Sequence, residues 1–259
     1  MSSKNVRLTV GWMACCVMAA TSNAAFASDS DSLDANESLL KSTAMGNFEP
    51  EPTVQQEWEF RVLLGDREIG THEFRVSRQG DIEQVEIDAR FDVKFLFFNA
   101  YSYSHQNLER WDGDCLEAIE SVTDDNGTSF ELRGMARDGR FIFDSNPQGP
   151  STGPACTRSF AYWNPDFLES EKLLNAQTGE IVDVEITRKA DEILTIDNQP
   201  VAAERYSLAM EDGIISLWYG KESGQWLALE APARGDRILR YEPVRLPVDP
   251  TADEQLAFE

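Results

Sequence analysis

The sequence predicts a mainly β fold: an antiparallel barrel or strongly curved sheet of about 10–12 strands, with one short helix near residues 165–174. Three observations predict it. Apolar residues recur with a period of two rather than 3.6 over most of the chain. Turn-forming dipeptides fall between the apolar runs. Helix-start chemistry occurs clearly at one place, Asn164-Pro165.

Residues 1–27 read as a secretory signal peptide. Lys4 and Arg7 make a positive start, Leu8 to Ala20 an apolar run, and Ala25-Phe26-Ala27 a small-residue cleavage site. The apolar run is too short to span a bilayer as a helix, and no later stretch approaches the roughly 20 apolar residues that would. The expectation is an exported periplasmic protein cleaved near Ala27, with no transmembrane segment.

Residues 28–56 are acidic and Ser-rich and end near Pro50 and Pro52, which reads as a disordered linker. Ser38 and Lys41 match an S-x-x-K nucleophile motif by chance, because no S-D-N or K-T-G companion exists. A single domain is expected over 57–246, and a flexible acidic tail over 247–259.

Within that domain the alternation is strongest at Val85, Ile87, Ala89, Phe91, Val93, Phe95 and Phe97, with charged residues between most of them. Trp58, Phe60, Val62 and Leu64 repeat it, as do Val182, Val184 and Ile186, then Tyr206, Leu208 and Met210, then Ile215, Leu217 and Tyr219. Each run places one face on a core and one in water. Asp112-Gly113, Asn126-Gly127, Asp138-Gly139 and Asp212-Gly213 accept positive φ and suit two-residue hairpins. Residues 145–156 hold three Pro and two Gly and read as an irregular loop. At 165–174 Asn164 caps, Pro165 takes the first helical position, and Asp166 and Glu169 favour the positive end of the helix dipole.

Once the signal has left with Cys15 and Cys16, two cysteines remain, Cys115 and Cys156. In an oxidising compartment such a pair is most simply one disulfide. Closing that loop stabilises the fold by about 4 kcal/mol in the chain-entropy model.

The net charge is −23, and loss of Lys4 and Arg7 takes it to −25. A field of that sign repels nucleic acid and anionic lipid surfaces. Catalytic signatures are missing: no G-x-S-x-G elbow, no H-E-x-x-H, no Walker loop and no G-x-G-x-x-G. Asp124, Asp125 and Asn126 resemble a calcium loop only faintly, since Val122 stands where an acid is needed. No cofactor or metal is indicated. The histidines are His72 and His105, each open to a structural or a general-base role.

What stands out is aromatic: from Phe91 to Tyr103 six rings fall in thirteen residues, and from Phe95 to Phe98 both parities are apolar. An apolar pocket mouth is one reading, and a strand tip packed under a loop is the other. The candidate ligand-binding residues are Phe91, Val93, Phe95, Phe97, Tyr101 and Tyr103, with Trp218 lining the same space.

Ser159-Phe160-Ala161-Tyr162-Trp163-Asn164, Leu173-Leu174-Asn175-Ala176-Gln177-Thr178-Gly179-Glu180, Ala203-Glu204-Arg205-Tyr206 and Leu217-Trp218-Tyr219-Gly220 carry a resemblance over about residues 57–242. They resemble an uncharacterised family of exported Gram-negative β-rich proteins defined by a domain of unknown function. The resemblance implies a periplasmic β-rich fold and brings no catalytic residues. At the level of shape alone it is similar to periplasmic half-barrels that hold lipid or lipoprotein acyl chains.

The sequence thus reads as an exported, non-enzymatic protein holding an apolar or lipid-like ligand inside a β-barrel. The alternatives are an envelope structural or partner-binding scaffold with a filled core, and a hydrolase using His105 or His72. Intact mass of the exported protein tests the leader: a chain beginning near Ser28 is expected. A mass that retains residues 1–27, or carries acyl chains on Cys15, would refute it.

Overall fold

A computed structural model describes residues 53–95, 98–233 and 235–248. Two antiparallel meanders make up most of it. The first runs through β1 (Thr53–Leu64), β2 (Arg67–Gln79), β3 (Ile82–Phe95), β4 (Phe98–Asp112), β5 (Cys115–Asp125), β6 (Thr128–Arg137), β7 (Arg140–Asn146) and β8 (Gly149–Gly153). A connecting segment follows, holding a 3-10 turn (Pro165–Glu169) and a small hairpin of β9 (Lys172–Leu174) with β10 (Ile181–Asp183). The second meander has β11 (Glu185–Arg188), β12 (Glu192–Ile196), β13 (Gln199–Met210), β14 (Gly213–Gly220), β15 (Trp226–Ala233) and β16 (Arg237–Arg245).

The meanders join where β1 pairs with β16, giving one 14-stranded sheet in the order β11-β13-β14-β15-β16-β1-β2-β3-β4-β5-β6-β7-β8, with β12 also on β13. The sheet is not closed: β8 forms one edge, and β11 with β12 form the other. It is strongly curved instead. Leu132 and Phe141 near one edge and Leu208 and Ile215 near the other belong to one buried cluster with the central strands.

Alternation produces that inner face. Trp58, Phe60, Val62 and Leu64 on β1 are buried, as are Val85, Ile87, Ala89, Phe91 and Val93 on β3, and Ile215, Leu217 and Tyr219 on β14. The inside of the curl is filled by the chain itself. In the link between β8 and β11, Phe160, Ala161, Tyr162, Trp163, Phe167, Leu173, Leu174 and Ala176 are all buried. The Tyr162 ring lies 5.3 Å from Trp226 of β15, and Trp163 meets Trp111 of β4 edge-on at 5.7 Å. Tyr219 Oη donates to the Tyr162 carbonyl at 2.9 Å, and Ser121 Oγ donates to that of Ala176. Gly179 (φ 75°) seats the filling segment's turn against β7, since a Cβ there would lie 2.4 Å from Ser145 Oγ. Cys115 and Cys156 form a disulfide with a Cα–Cα distance of 4.8 Å, fastening the start of the segment to β5.

Several expectations are corrected. The helix near 165–174 is a five-residue 3-10 turn. Asn164 caps it as expected, its Oδ1 accepting from the Asp166 N–H at 3.0 Å, but the backbone then extends. Leu173 and Leu174 are buried through pairing with Val182 and Ile181, which a helix would forgo. Sixteen strands replace the expected 10–12 among the described residues, because short strands lie where loops were read. Residues 145–156 include β8, in which Pro150 sits on an edge strand where no ladder donor is required. Val182, Val184 and Ile186 are not one strand: Val182 pairs in the small hairpin, and Ile186 pairs with Leu208 of the main sheet. The linker boundary also moves, since β1 already begins at Thr53. Residues 1–52 and the tail from 249 lie outside the described residues.

Gly70 marks a point of strict backbone demand. It sits at a bulge in the β1–β2 pairing, with φ 153°, and a Cβ there would stand 1.8 Å from the Arg90 carbonyl oxygen of β3. Gly113, in the β4–β5 turn, also has positive φ (56°), but nothing lies within 4 Å of a Cβ there. Gly70→Ala is therefore expected to lower stability by at least about 2 kcal/mol, and Gly113→Ala by about 1 kcal/mol. Urea denaturation of the two variants checks this, and equal losses would contradict the close approach.

Candidate functional site

The predicted apolar residues divide. Phe91 pairs with Tyr103 and Val93 with Tyr101 across β3 and β4, all four pointing into the curl. Phe91 and Tyr103 stack at 5.3 Å with planes 12° apart. The two phenols are satisfied: Tyr101 Oη donates to Asp125 Oδ1 at 2.7 Å, and Tyr103 Oη to Gln177 Oε1 at 3.2 Å. These four residues keep only 2–8% of their surface exposed. The side chain of Phe95 and all of Phe97 lie outside the described residues, as do the side chains of Leu96 and Phe98.

Trp218 does not share this space. Leu217 and Tyr219 point inward, so Trp218 points outward, where it packs with Ala203 and Leu227 in a separate cluster. Its indole N–H donates to Glu192 Oε2 at 2.9 Å, and the Arg205 guanidinium lies 5.2 Å from its ring. The β12 hairpin covers that outer face through Leu194 and Ile196, so both parities of β14 are buried there.

The inner row of β4 is the unusual feature of the interior. It runs Tyr101, Tyr103, His105, Asn107, Glu109 and Trp111, polar at its centre where β3 offers Val85, Ile87 and Ala89. Ser121 and Thr123 of β5 continue it, and Asn175, Gln177 and Thr178 of the filling segment lie buried as well. Glu109 is 1% exposed and accepts from Asn107 Nδ2 and from the Trp111 indole, both at 2.9 Å. Burial pushes its carboxyl up, opposed by hydrogen bonds from Asn107, Ser159 and Trp111. Alternation already places Glu109 on the inner parity with His105; what hid it was the general expectation that a Glu on a strand faces water.

Both histidines are buried in this wall. His72 Nδ1 lies 3.2 Å from Tyr241 Oη, and His105 Nδ1 lies 2.7 Å from Thr123 Oγ1. Each Nδ1 thus meets a hydroxyl, and no carboxylate among the described residues is hydrogen-bonded to either ring. No group of three His, Cys, Asp or Glu among the described residues is arranged to hold a metal ion. Asp124 at the calcium-like turn closes its own hairpin, Oδ1 accepting from the Gly127 N–H at 2.7 Å.

Two open concavities among the described residues lie on the outside. A groove of about 470 Å³ crosses the outer face of β2–β6, with Glu86, Asp88, Leu108, Glu120, Val122 and Arg133 in its lining. A second of about 400 Å³ lies beside Trp218 under the β12 hairpin, with Arg61, Arg240 and Glu230 at its rim. Leu108, Val122, Met135 and Ile142 make the outer face of β4–β7 partly apolar; Val122 and Met135 are more than half exposed. No helix among the described residues is long and apolar enough to cross a membrane.

Burial sets the acid response of the interior. It pushes His105 from 6.5 down to about 4, and pushes His72 well below 6.5, with the neighbouring His105 adding to the fall. The unfolded chain takes up these protons near pH 6.5 and the folded chain only near pH 4 for His105, so stability is full above 6.5 and falls as the pH drops through that window. The His105 shift corresponds to about 3 kcal/mol. Glu109 acts oppositely: its raised folded-state value makes stability fall as pH rises from 4.5. In an NMR titration the His105 ring is expected to stay neutral until about pH 4 and His72 to stay neutral well below 6.5; titration of either near 6.5 would contradict their burial.

A family model described as a domain of unknown function (DUF6134) matches residues 60–244. Among solved structures, the chain is similar to a β-barrel-like protein of the domain of unknown function DUF1849 from Brucella abortus. The TM-score is 0.54 at 11% identity, covering 76% of this chain and 98% of that one. At that identity the likeness is one of fold, and it fits a sheet curled almost to a barrel. No curated protein matches. With the model spanning nearly the whole of the described sheet, the chain belongs to the DUF6134 family of unknown function.

Proposed function

We propose that this protein is an exported, non-enzymatic scaffold that binds a protein partner on the outer face of a self-filled half-barrel. The observation that carries the reading is the filled interior. A carrier needs a ligand-sized apolar cavity of about 300–1,000 Å³. Here the inner face is packed against residues of the protein's own link, and Phe91, Val93, Tyr101 and Tyr103 leave a ligand almost no surface. An apolar or lipid-like ligand placed against the inner face beside Tyr103 would have to displace the segment from Thr157 to Thr178.

Export is supported by the leader at residues 1–27 and by the disulfide of Cys115 with Cys156, which persists in oxidising compartments. The outer groove of β2–β6 supports the partner. It combines exposed Leu108 and Val122 with Glu86, Asp88 and Glu120, in a chain of net charge −23. That chemistry suits a segment that is apolar and basic together.

The test is a photo-crosslinking side chain placed at Val122 or Met135 in the native host. A discrete adduct is expected, weakened at least tenfold by Glu120→Lys. Native mass spectrometry of the same protein should show it free of lipid. Stoichiometric copurifying lipid would restore the carrier reading, and silence at both outer positions would remove the partner surface.

A further inference from the structure

Three of the buried polar atoms without a hydrogen-bond partner among the described residues fall together on β2 and β4. His72, Ala89, His105 and Thr123 form a single cross-strand row on β2, β3, β4 and β5. The two imidazoles therefore stand on either side of the smallest side chain in the inner row of β3. Each ring uses Nδ1 toward its outer neighbour, His72 toward Tyr241 and His105 toward Thr123. In an imidazole, Nε2 lies on the edge opposite Nδ1. With Nδ1 turned to the outer neighbour on each ring, both Nε2 atoms are turned toward the Ala89 side of the row. Neither has a hydrogen-bond partner, though His72 is 3% and His105 0% exposed. A third orphan, Asn107 Oδ1, stands one inner position along β4.

Buried polar atoms in native proteins are paired almost without exception. Two facing imidazole nitrogens, separated by the width of β3, are too far apart to satisfy each other: strands two apart lie about 9–10 Å from one another. Curvature toward the inner face brings the ring tips closer than that. We propose that a buried water site lies over Ala89, bridging His72 Nε2 to His105 Nε2 and reaching toward Asn107 Oδ1. Water fits because it both donates and accepts, so it satisfies each ring in either tautomer. A metal ion fits poorly, since no third His, Cys, Asp or Glu among the described residues joins the pair. The site also explains why Ala, rather than a larger residue, stands between Ile87 and Phe91: a Leu or Phe there would fill the space the rings need filled by a polar group.

The site makes the two rings one unit. With water between them, loss of one imidazole leaves the other and the water short of a partner, so the two positions are coupled although they do not touch.

The experiment uses the whole exported protein. In rotating-frame NMR spectra, the Ala89 methyl and the His72 and His105 ring protons are expected to show cross-peaks to water with the sign of a long-lived contact. Water-oxygen magnetic relaxation dispersion should count at least one fewer long-lived water in the His72→Phe/His105→Phe double variant. If that variant does not fold, the wild-type cross-peaks decide alone. A dry site, with no water contact at Ala89 or either ring, overturns the proposal. So does a stoichiometric metal ion found by elemental analysis of the purified protein.

Discussion

The constraint on which the rest of this structure depends is that a curved sheet with two free edges must find something to cover its inner face. A closed barrel solves this with its own opposite wall. Here the sheet stops short of closure, and the wall at β4 and β5 would stand open to water without a filler. The link between β8 and β11 supplies it, carrying Phe160, Tyr162, Trp163, Phe167, Leu173 and Leu174 into the curl. Each of those large side chains contributes about 2–3 kcal/mol by burial, an upper bound given a partly collapsed unfolded chain. The disulfide acts on the same segment. By holding Cys156 to Cys115 it fixes where the filler enters, beside the Leu116 N–H that donates to the Thr157 carbonyl at 2.9 Å.

A filler made of irregular chain brings its own backbone polar groups inside, and these must be answered. That accounts for the polar strip on β4 and β5. Ser121 donates to the Ala176 carbonyl, Tyr103 to Gln177, and Ser159 to Glu109. Within the segment, Asn175 Oδ1 accepts from the N–H groups of Gln177 and Thr178 at 2.9 and 3.2 Å. The strip gives up apolar burial at His105, Asn107 and Glu109, and in return it admits only a segment with matching donors and acceptors. A generic acyl chain offers none, so it would leave these wall groups without the partners that the link supplies.

Most of the sheet was legible in the residues, because one period governs it. Trp58 to Leu64 and Val85 to Val93 alternate cleanly, and Asn126-Gly127 and Asp138-Gly139 take positive φ at both turn positions. The rest was hidden for specific reasons. Phe160 to Trp163 are buried consecutively, so no period marks the filler. The hairpin between β12 and β13 turns on Asp197-Asn198, with φ 50° and 61° and no glycine to signal it. Trp218 misleads because its neighbours on both sides are buried too, and only the tertiary position of β12 shows that it faces outward. At the candidate site, Phe91, Val93, Tyr101 and Tyr103 were placed together by alternation, whereas what covers them depends on a segment folding back from about 70 residues later in the chain.

On the proposed reading, with the interior taken, a partner would meet the outer face or the edges. The edges are poorly suited to adding a strand. β8 is five residues long and carries Pro150, and the β11–β12 edge bears Glu185, Arg188, Asp191 and Glu192. Arg188 and Lys221 further tie that edge to Asp191 and Glu204. The outer face of β4–β7 has the opposite character, with exposed Val122, Met135 and Ile142 among carboxylates and no segment of the described chain laid over it. A sheet stiffened from within by a packed filler presents such a face with little freedom to lose on binding, which is what a docking surface requires.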